Sequence, residues 1–421
     1  MSNRLKEVWN KHPYMSLFLV GLVVRLLALP FLPERVGQEH LEIADYLLDG
    51  KGYIYEHDYP STYLAPFYVF FLYTFIKFFP SPTNIYLIKL IQIFLSAMLI
   101  PILFYLGERV FDRKVGLISA LLCLGHPLFI ALPSTLVIDA FLIPWIYLLL
   151  FLTYIWRDNS SLMKAIFLGI LAGVALLIKM RSLAFILPLW LWLLILTFRE
   201  SPLSFMSREG QHHLFGRLLR ILLMIGVSLL IVSPWSIRNH QLTGSWILEH
   251  NFGYNFWMGS NPEANGLGKY SATQTRFPRP PELVEKLNLA QNDLDRDRIF
   301  LKEGEQFWQS QPWQGVRLTL KKIVLFWWVD TVNPKTQSFY YIFPALLISL
   351  SALAGLFYPG LRWPGIGGVL LCVLGLHYLS VILTFYIARL RLSVEPVLFL
   401  YAAAFWMQLI QKGKERLTVP S

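Results

Sequence analysis

The segment PERVGQEHLEIADYLLDGKGYIYEHDYPSTY, residues 33–63, interrupts a chain that is otherwise largely apolar. Its first half carries Glu34, Glu39, Glu42, Asp45 and Asp49, and it follows directly on an apolar run of membrane-crossing length, 14–32. Carboxylates beside a membrane surface are costly unless they are solvated or used. Within QEHLEIADYLLDG the apolar positions Leu41, Ile43, Ala44, Leu47 and Leu48 recur at helical spacing. That spacing predicts a short amphipathic helix with Glu39 in its first turn. The helix dipole favours an anion there, which by itself accounts for a solvated glutamate. Next to a membrane, the same carboxylate is a candidate general base.

The surrounding composition is that of a polytopic membrane protein: 55% of the 421 residues are hydrophobic and 15% charged, with a mean hydropathy of +0.50. The 14 Trp and 20 Tyr suit bilayer interfaces. A formal net charge of +11 would suggest nucleic acid in a soluble protein. Here the basic residues cluster between apolar runs, so they report topology, and no nucleic-acid partner is expected. Cys123 and Cys372 both lie inside apolar runs and read as small packing residues. The first apolar run follows Arg4, Lys6 and Lys11 without a small-residue cleavage site and reads as a retained anchor.

Runs of about 20 apolar residues place ten spans at 14–32, 84–107, 115–133, 137–156, 164–179, 183–198, 218–237, 338–357, 366–387 and 393–411. The run YLAPFYVFFLYTFIKFF, 63–79, is left out. Counting it would invert the sidedness of the short basic loops that hold Arg109, Arg113 and Lys114, then Arg157 and Lys164, then Arg199, Arg208, Arg217 and Arg220, then Arg362. It reads instead as an aromatic helix in the outer interface. The expectation is one integral membrane domain over 1–421, with both termini in the cytoplasm and two outward loops, 33–83 and 238–337. Charges of alternating sign over 281–310 predict a solvated helix.

Three groups of residues can carry chemistry. The first is Glu39 with its neighbours His40, Glu42 and Tyr63. The second is a set of ionisable residues inside or at the ends of spans: His126, Asp139, Lys179, Arg181, His377, Arg389 and Arg391. Such residues are functional candidates by default. The cationic pairs in KMR (179–181) and RLR (389–391) suit a phosphate, although snorkelling to lipid headgroups is the plainer reading. Glu395 is placed to neutralise the second pair, and Asp139 either caps the helix that follows it or pairs with one of the cations. The third is SPWSIRNH (233–240) with GSNPEANG (259–266), where Arg238, Asn261 and Asn265 sit among turn formers and the asparagines are candidates for sugar hydroxyls. There is no Walker motif, no strand followed by GxGxxG, no HExxH and no CxxC, so a soluble nucleotide site is not expected.

These motifs resemble those of the GT-C superfamily, in the branch of the dolichyl-phosphate-mannose–protein mannosyltransferases and the lipid A aminoarabinose transferase. The resemblance rests on an acidic residue in the first loop followed by IADYLLDGKGY (43–53), the Pro66-Phe67-Tyr68 step, PWSIRN (234–239), NFGYNFWMGSNPEANG (251–266) and ARLRLSVEP (388–396). It implies an all-α polytopic fold of about ten transmembrane helices, with interfacial helices in the first outward loop and a longer outward loop between spans 7 and 8. It also implies transfer of a sugar from a polyprenyl-phosphate carrier to a lipid, glycan or protein acceptor on the outer face of the inner or plasma membrane. Glu39 would act as base of an inverting displacement. Lys179, Arg181, Arg389 and Arg391 would hold the donor phosphate, and His40, Glu42, Tyr63, Asp139, Arg238, Asn251, Asn255, Asn261 and His377 would line the substrate. No cofactor is required, while a divalent cation is compatible. The usual first-loop acidic pair falls here on Val36 and Gly37, and Glu39 is the nearest acidic replacement. A flippase for lipid-linked sugars and a non-catalytic lipid-binding homologue are the alternatives.

Overall fold

The computed structural model describes residues 11–32, 38–157, 161–199, 208–271, 274, 276–328, 338–357 and 365–418, and among these it contains helices, turns and two isolated bridges but no strand. In chain order the helices are α1 Pro13–Ala28, α2 Gln38–Leu48, α3 Pro66–Phe78, α4 Thr83–Val110, α5 Arg113–Gly125, α6 Pro127–Ala131, α7 Ile138–Trp156, α8 Leu162–Ile178 and α9 Leu183–Arg199. They continue as α10 Arg208–Thr243, α11 Phe252–Met258, α12 Pro281–Asn288, α13 Asp293–Ser310, α14 Pro312–Trp327, α15 Phe339–Gly355, α16 Ile366–Leu383, α17 Ala388–Arg391 and α18 Glu395–Thr418.

A helix underlies each of the ten predicted spans. Among the described residues six stretches are long and apolar enough to cross a bilayer unaided, and seven if α5 and its bent continuation count as one. The expected straight span at 115–133 is instead broken by 60° between Gly125 and Pro127. His126 is extended there (φ −73°, ψ 120°), because proline disfavours a helical residue before it and opens the next helix at its first position. The excluded aromatic run forms α3, whose thirteen residues rise only about 20 Å against a hydrocarbon thickness of about 30 Å.

Local sequence sets the helix starts. Asp112 accepts the backbone N–H groups of Lys114 (2.7 Å) and Val115 (2.9 Å), and Ser161 and Asn292 cap α8 and α13 in the same way. Packing uses small residues where helices cross. In α8, Gly169 and Gly173 lie one turn apart against α10, and added β-carbons would stand 2.6 Å from the Met224 carbonyl oxygen and 2.7 Å from Ile231 Cβ. With no hydrophobic drive between lipid-immersed helices, such close approach is what dispersion attraction requires. Helix α4 runs through the core and packs on α1, α5 and α7. One buried charge in α1 was not anticipated: Arg25 donates from Nε to Ser96 Oγ (2.9 Å) and from Nη1 to the Gly21 carbonyl (3.2 Å).

Candidate functional site

The first loop and the segment after α10 are sewn together at one end of the bundle. Asp293, buried at the start of α13, accepts the Ser61 hydroxyl (2.7 Å) and the Thr62 N–H (2.6 Å). The His250 N–H donates to the Thr62 carbonyl (2.9 Å), Arg238 Nη1 to the Ser61 carbonyl (3.0 Å) and Asn251 Nδ2 to the Tyr63 carbonyl (2.8 Å). Replacing Asp293 with Ala leaves one buried hydroxyl and one buried N–H without an acceptor. A loss of about 1–3 kcal/mol follows, readable as a lowered unfolding midpoint of the detergent-solubilised chain. An unchanged midpoint would remove the latch from the account.

Against this latch sits a cluster of charges drawn from four separate segments. Asp139, in the first turn of α7, is buried and paired with Arg181 and with Arg389 Nε (3.2 Å). Glu249, also buried, accepts Lys179 Nζ at 2.7 Å, the Met180 N–H at 2.5 Å and Asn251 Nδ2 at 3.1 Å. Asn255 Nδ2 in turn donates to Asn251 Oδ1 (3.3 Å). Lys179 and Arg181 lie where α8 ends and a single 3-10 turn leads into α9, so the chain reversal itself brings two cations together. Gln92 of α4 supports the cluster from behind, donating to the Pro133 and Thr135 carbonyls and accepting the Tyr68 hydroxyl (2.8 Å). That holds the turn leading into Asp139.

Three cations against two carboxylates leave one net positive charge. Its outermost member is Arg389, 49% exposed. His40 adds no charge. Burial pushes its imidazole down to about 3, and the nearby charges of Lys179 and Arg389 act in the same direction. His40 follows Glu39 on α2, so the helix that presents the acidic side chain touches the field of the cationic cluster. Glu39 itself is exposed. Burial raises the phenols of Tyr55 and Tyr63, and the charge of Glu39 acts on both in the same direction. Those rings stack at 5.3 Å with 17° between their planes. A polar cavity of about 830 Å³ opens between the first loop and residues 276–296, lined by Glu42, Tyr46, Lys51, Glu56, Arg276 and Arg296 among others. Among the described residues no three His, Cys, Asp or Glu side chains converge as metal ligands.

The sequence matches the family model described as dolichyl-phosphate-mannose-protein mannosyltransferase over residues 64–237. No curated protein matches it. Among solved structures, the oligosaccharyltransferase of Archaeoglobus fulgidus tethered to an acceptor peptide superposes with a TM-score of 0.51 at 13% identity, over 96% of this chain and 50% of that one. This is the GT-C fold. The same archaeal enzyme, AglB, in complex with an inhibitory peptide and a dolichol-phosphate gives a TM-score of 0.50 at 14% identity, over 98% of this chain and 53% of that one. ArnT from Cupriavidus metallidurans bound to undecaprenyl phosphate gives 0.40 at 15% identity, over 93% of this chain and 78% of that one. The chain thus spans about half the length of the archaeal protein whose GT-C fold it shares.

Within the GT-C fold the expected site residues divide. Lys179, Arg181, Arg389, Asp139, Asn251 and Asn255 meet in one network; Tyr63 joins it through its carbonyl and His40 lies within the electrostatic reach of its cations, while Glu39 precedes His40 on α2 and Glu42 lines the polar cavity. The other expected residues have different work. Arg391 was grouped with Arg389 as a phosphate ligand, but it is buried and ties a structural knot. It donates to Glu395 (2.8 and 3.3 Å), Ser349 Oγ (3.0 Å) and the carbonyls of Phe326 and Trp328. His377 is fully buried with Nε2 2.8 Å from the Leu390 carbonyl, beneath the segment that carries Arg389. Arg238 lies over the rings of Trp235 and Tyr53 at 4.2 and 5.4 Å. Asn261 and Asn265 close turns: Asn261 Nδ2 donates to the Trp257 carbonyl (2.8 Å), and Asn265 Nδ2 to the Lys269 carbonyl (2.9 Å). Neither presents its amide to the cluster. Val36 and Gly37 lie outside the described residues. Sequence reasoning missed Glu249, whose signal was a lone acidic residue between the apolar pair Ile247-Leu248 and His250.

Arg389 is delivered by an arm that the second loop grips. After α16 the chain pairs with 266–268, the Gly268 N–H donating to the Tyr386 carbonyl (2.9 Å) and the Tyr386 N–H to the Gly266 carbonyl (3.0 Å). Lys322 Nζ of α14 donates to the Thr384 carbonyl at 3.0 Å. Gly259 must lack a side chain, since a β-carbon there would overlap that same carbonyl.

Proposed function

We propose that this chain is a glycosyltransferase that moves a sugar from a polyprenyl-phosphate carrier to an acceptor at the outer face of the membrane, with both termini in the cytoplasm. The observation that carries this reading is the single net positive charge of the Lys179–Arg181–Arg389 cluster around Asp139 and Glu249, within the electrostatic reach of His40, which follows the exposed Glu39 on α2. A sugar linked to a prenyl phosphate is a phosphodiester with one negative charge, which the cluster would neutralise. The fold shared with a protein solved with dolichol-phosphate supports the same class of donor.

In the proposed reaction Glu39 accepts a proton from an acceptor hydroxyl or amine. The freed lone pair attacks the anomeric carbon from the face opposite the phosphate, and the bond from carbon to phosphate oxygen breaks. The prenyl phosphate leaves with that electron pair and a second negative charge, so it needs no strong acid. Arg389 and Lys179 stabilise the added charge, while Asp139 and Glu249 hold them in place. The acceptor approaches through the polar cavity beside Glu42, whose volume of about 830 Å³ suits a glycan, a peptide or a lipid headgroup.

Binding of a polyprenyl phosphate to the purified protein in nanodiscs tests the donor half of this reading. Arg389→Ala removes one charge-assisted contact of about 1.5–3 kcal/mol, so affinity should fall about 10- to 100-fold and lose part of its salt dependence. Glu39→Gln should bind as the parent does. Equal binding by the parent and the Arg389 variant would sink the assignment.

A further inference from the structure

Helix α14 is amphipathic with its apolar stripe on the outside. Trp313, Leu320 and Val324 are 84%, 58% and 60% exposed, and Val316 joins them. Their spacing of three and four residues puts them on one face. Arg317 and Lys321 line one edge of the stripe, and the opposite face is buried through Leu318, Leu325 and Phe326. Read from the sequence, this segment belongs to the long outward loop, where such a stripe would meet water.

The hydrogen bonds place it elsewhere. Arg391 donates both to the Phe326 and Trp328 carbonyls, at the end of α14, and to Ser349 Oγ of α15. Ser349 lies ten residues into α15, about 15 Å along its axis. The Tyr378 hydroxyl donates to the Ile323 carbonyl (3.1 Å), and Tyr378 lies five residues inside the end of α16, a membrane-crossing helix. The last two turns of α14 therefore stand at the depth of the crossing helices. At that depth nothing aqueous is available to an exposed valine and leucine, and the face has the character of a lipid-facing surface.

We propose that α14 is seated in the bilayer, its partner being membrane phospholipid: Trp313 at headgroup level, Leu320 and Val324 in the acyl region, Arg317 and Lys321 extending back to lipid phosphates. The inner face of the same helix holds Thr384 through Lys322 and the base of the 389–391 segment through Arg391. Seating α14 thus fixes the depth at which Arg389 is presented. The inference rests on depth and exposure and is independent of the reaction proposed above.

Spin labels at Leu320→Cys and Val324→Cys, in a Cys372→Ser background reconstituted into phosphatidylcholine–phosphatidylglycerol nanodiscs, read the surroundings directly. Cys123 is buried. Both labels should collide with dissolved oxygen and lose collisions with a water-soluble nickel chelate, whereas a label at the exposed Leu289→Cys should show the reverse. Nickel collisions at 320 and 324 equal to those at 289 would overturn the proposal. So would protection from both agents together with spin–spin broadening, which would mean that a second copy covers the face. A measurement without variants stands behind this one: a phospholipid with a diazirine in its acyl chain should photolabel the peptide 313–327 of the unmodified protein. Labelling of the crossing helices without α14 would count against a lipid seat.

Discussion

Glu39→Gln is expected to lower the rate of sugar transfer in proteoliposomes by about 10²- to 10⁴-fold, the range a positioned general base contributes. The substitution keeps size and shape and removes only the ability to take a proton. Glu39 is exposed, while α2 is anchored by the buried side chains of His40, Ile43 and Ala44, so the fold and its thermal midpoint should not move. The distinguishing feature is the split between parameters. The maximal rate falls, whereas the donor concentration for half-maximal rate stays put, because the donor phosphate is held by the cationic cluster and not by the carboxylate. Full activity in the glutamine variant would remove Glu39 from the chemistry. A rise in donor KM at unchanged kcat would instead make it a binding residue.

The second large effect concerns stability. Arg391→Leu should destabilise the fold by about 3–5 kcal/mol, the usual cost of leaving one half of a buried ion pair behind. Glu395 is fully buried and would lose its guanidinium, left as an unpaired charge or forced to take up a proton, and the Phe326 and Trp328 carbonyls and Ser349 would lose a donor together. The double variant Arg391→Leu/Glu395→Leu should recover much of that loss, because two apolar side chains no longer strand a charge. Unfolding midpoints of the three proteins in one detergent decide the matter. Equal midpoints for the parent and the single variant would mean that the knot is unimportant.

The different fates of Arg389 and Arg391 show where sequence reasoning stops. Both sit in RLR at the end of a span, and both read as phosphate ligands. Two residues on a helical turn point about 200° apart. Arg389 therefore faces Asp139 and the open end of the bundle, while Arg391 faces the interior between α14, α15 and α18. Only the tilt of a four-residue helix, α17, decides which arginine goes where, and that tilt is set by the pairing of Tyr386 with the second loop and by Lys322 on Thr384. Periodicity says nothing about either contact.

Local information carried much of the rest. The helices that underlie the ten predicted spans follow from runs of apolar side chains, because a backbone in hydrocarbon must satisfy its own hydrogen bonds and a helix does so within one segment. Helix α2, with Glu39 in its first turn, follows from the spacing of Leu41, Ile43, Ala44 and Leu47. The break at His126-Pro127 was legible in principle as proline chemistry. Pairing was not legible. Asp139 meets Arg389 from far along the chain, Glu249 meets Lys179, and Asp293 captures Ser61 and Thr62. A charge in a sequence announces that it needs a partner, but Coulomb attraction and desolvation act through space. The choice of partner belongs to the packing of helices whose lipid-facing sides look alike, and the outward stripe of α14 acquires its meaning only once Ser349 and Tyr378 fix its depth.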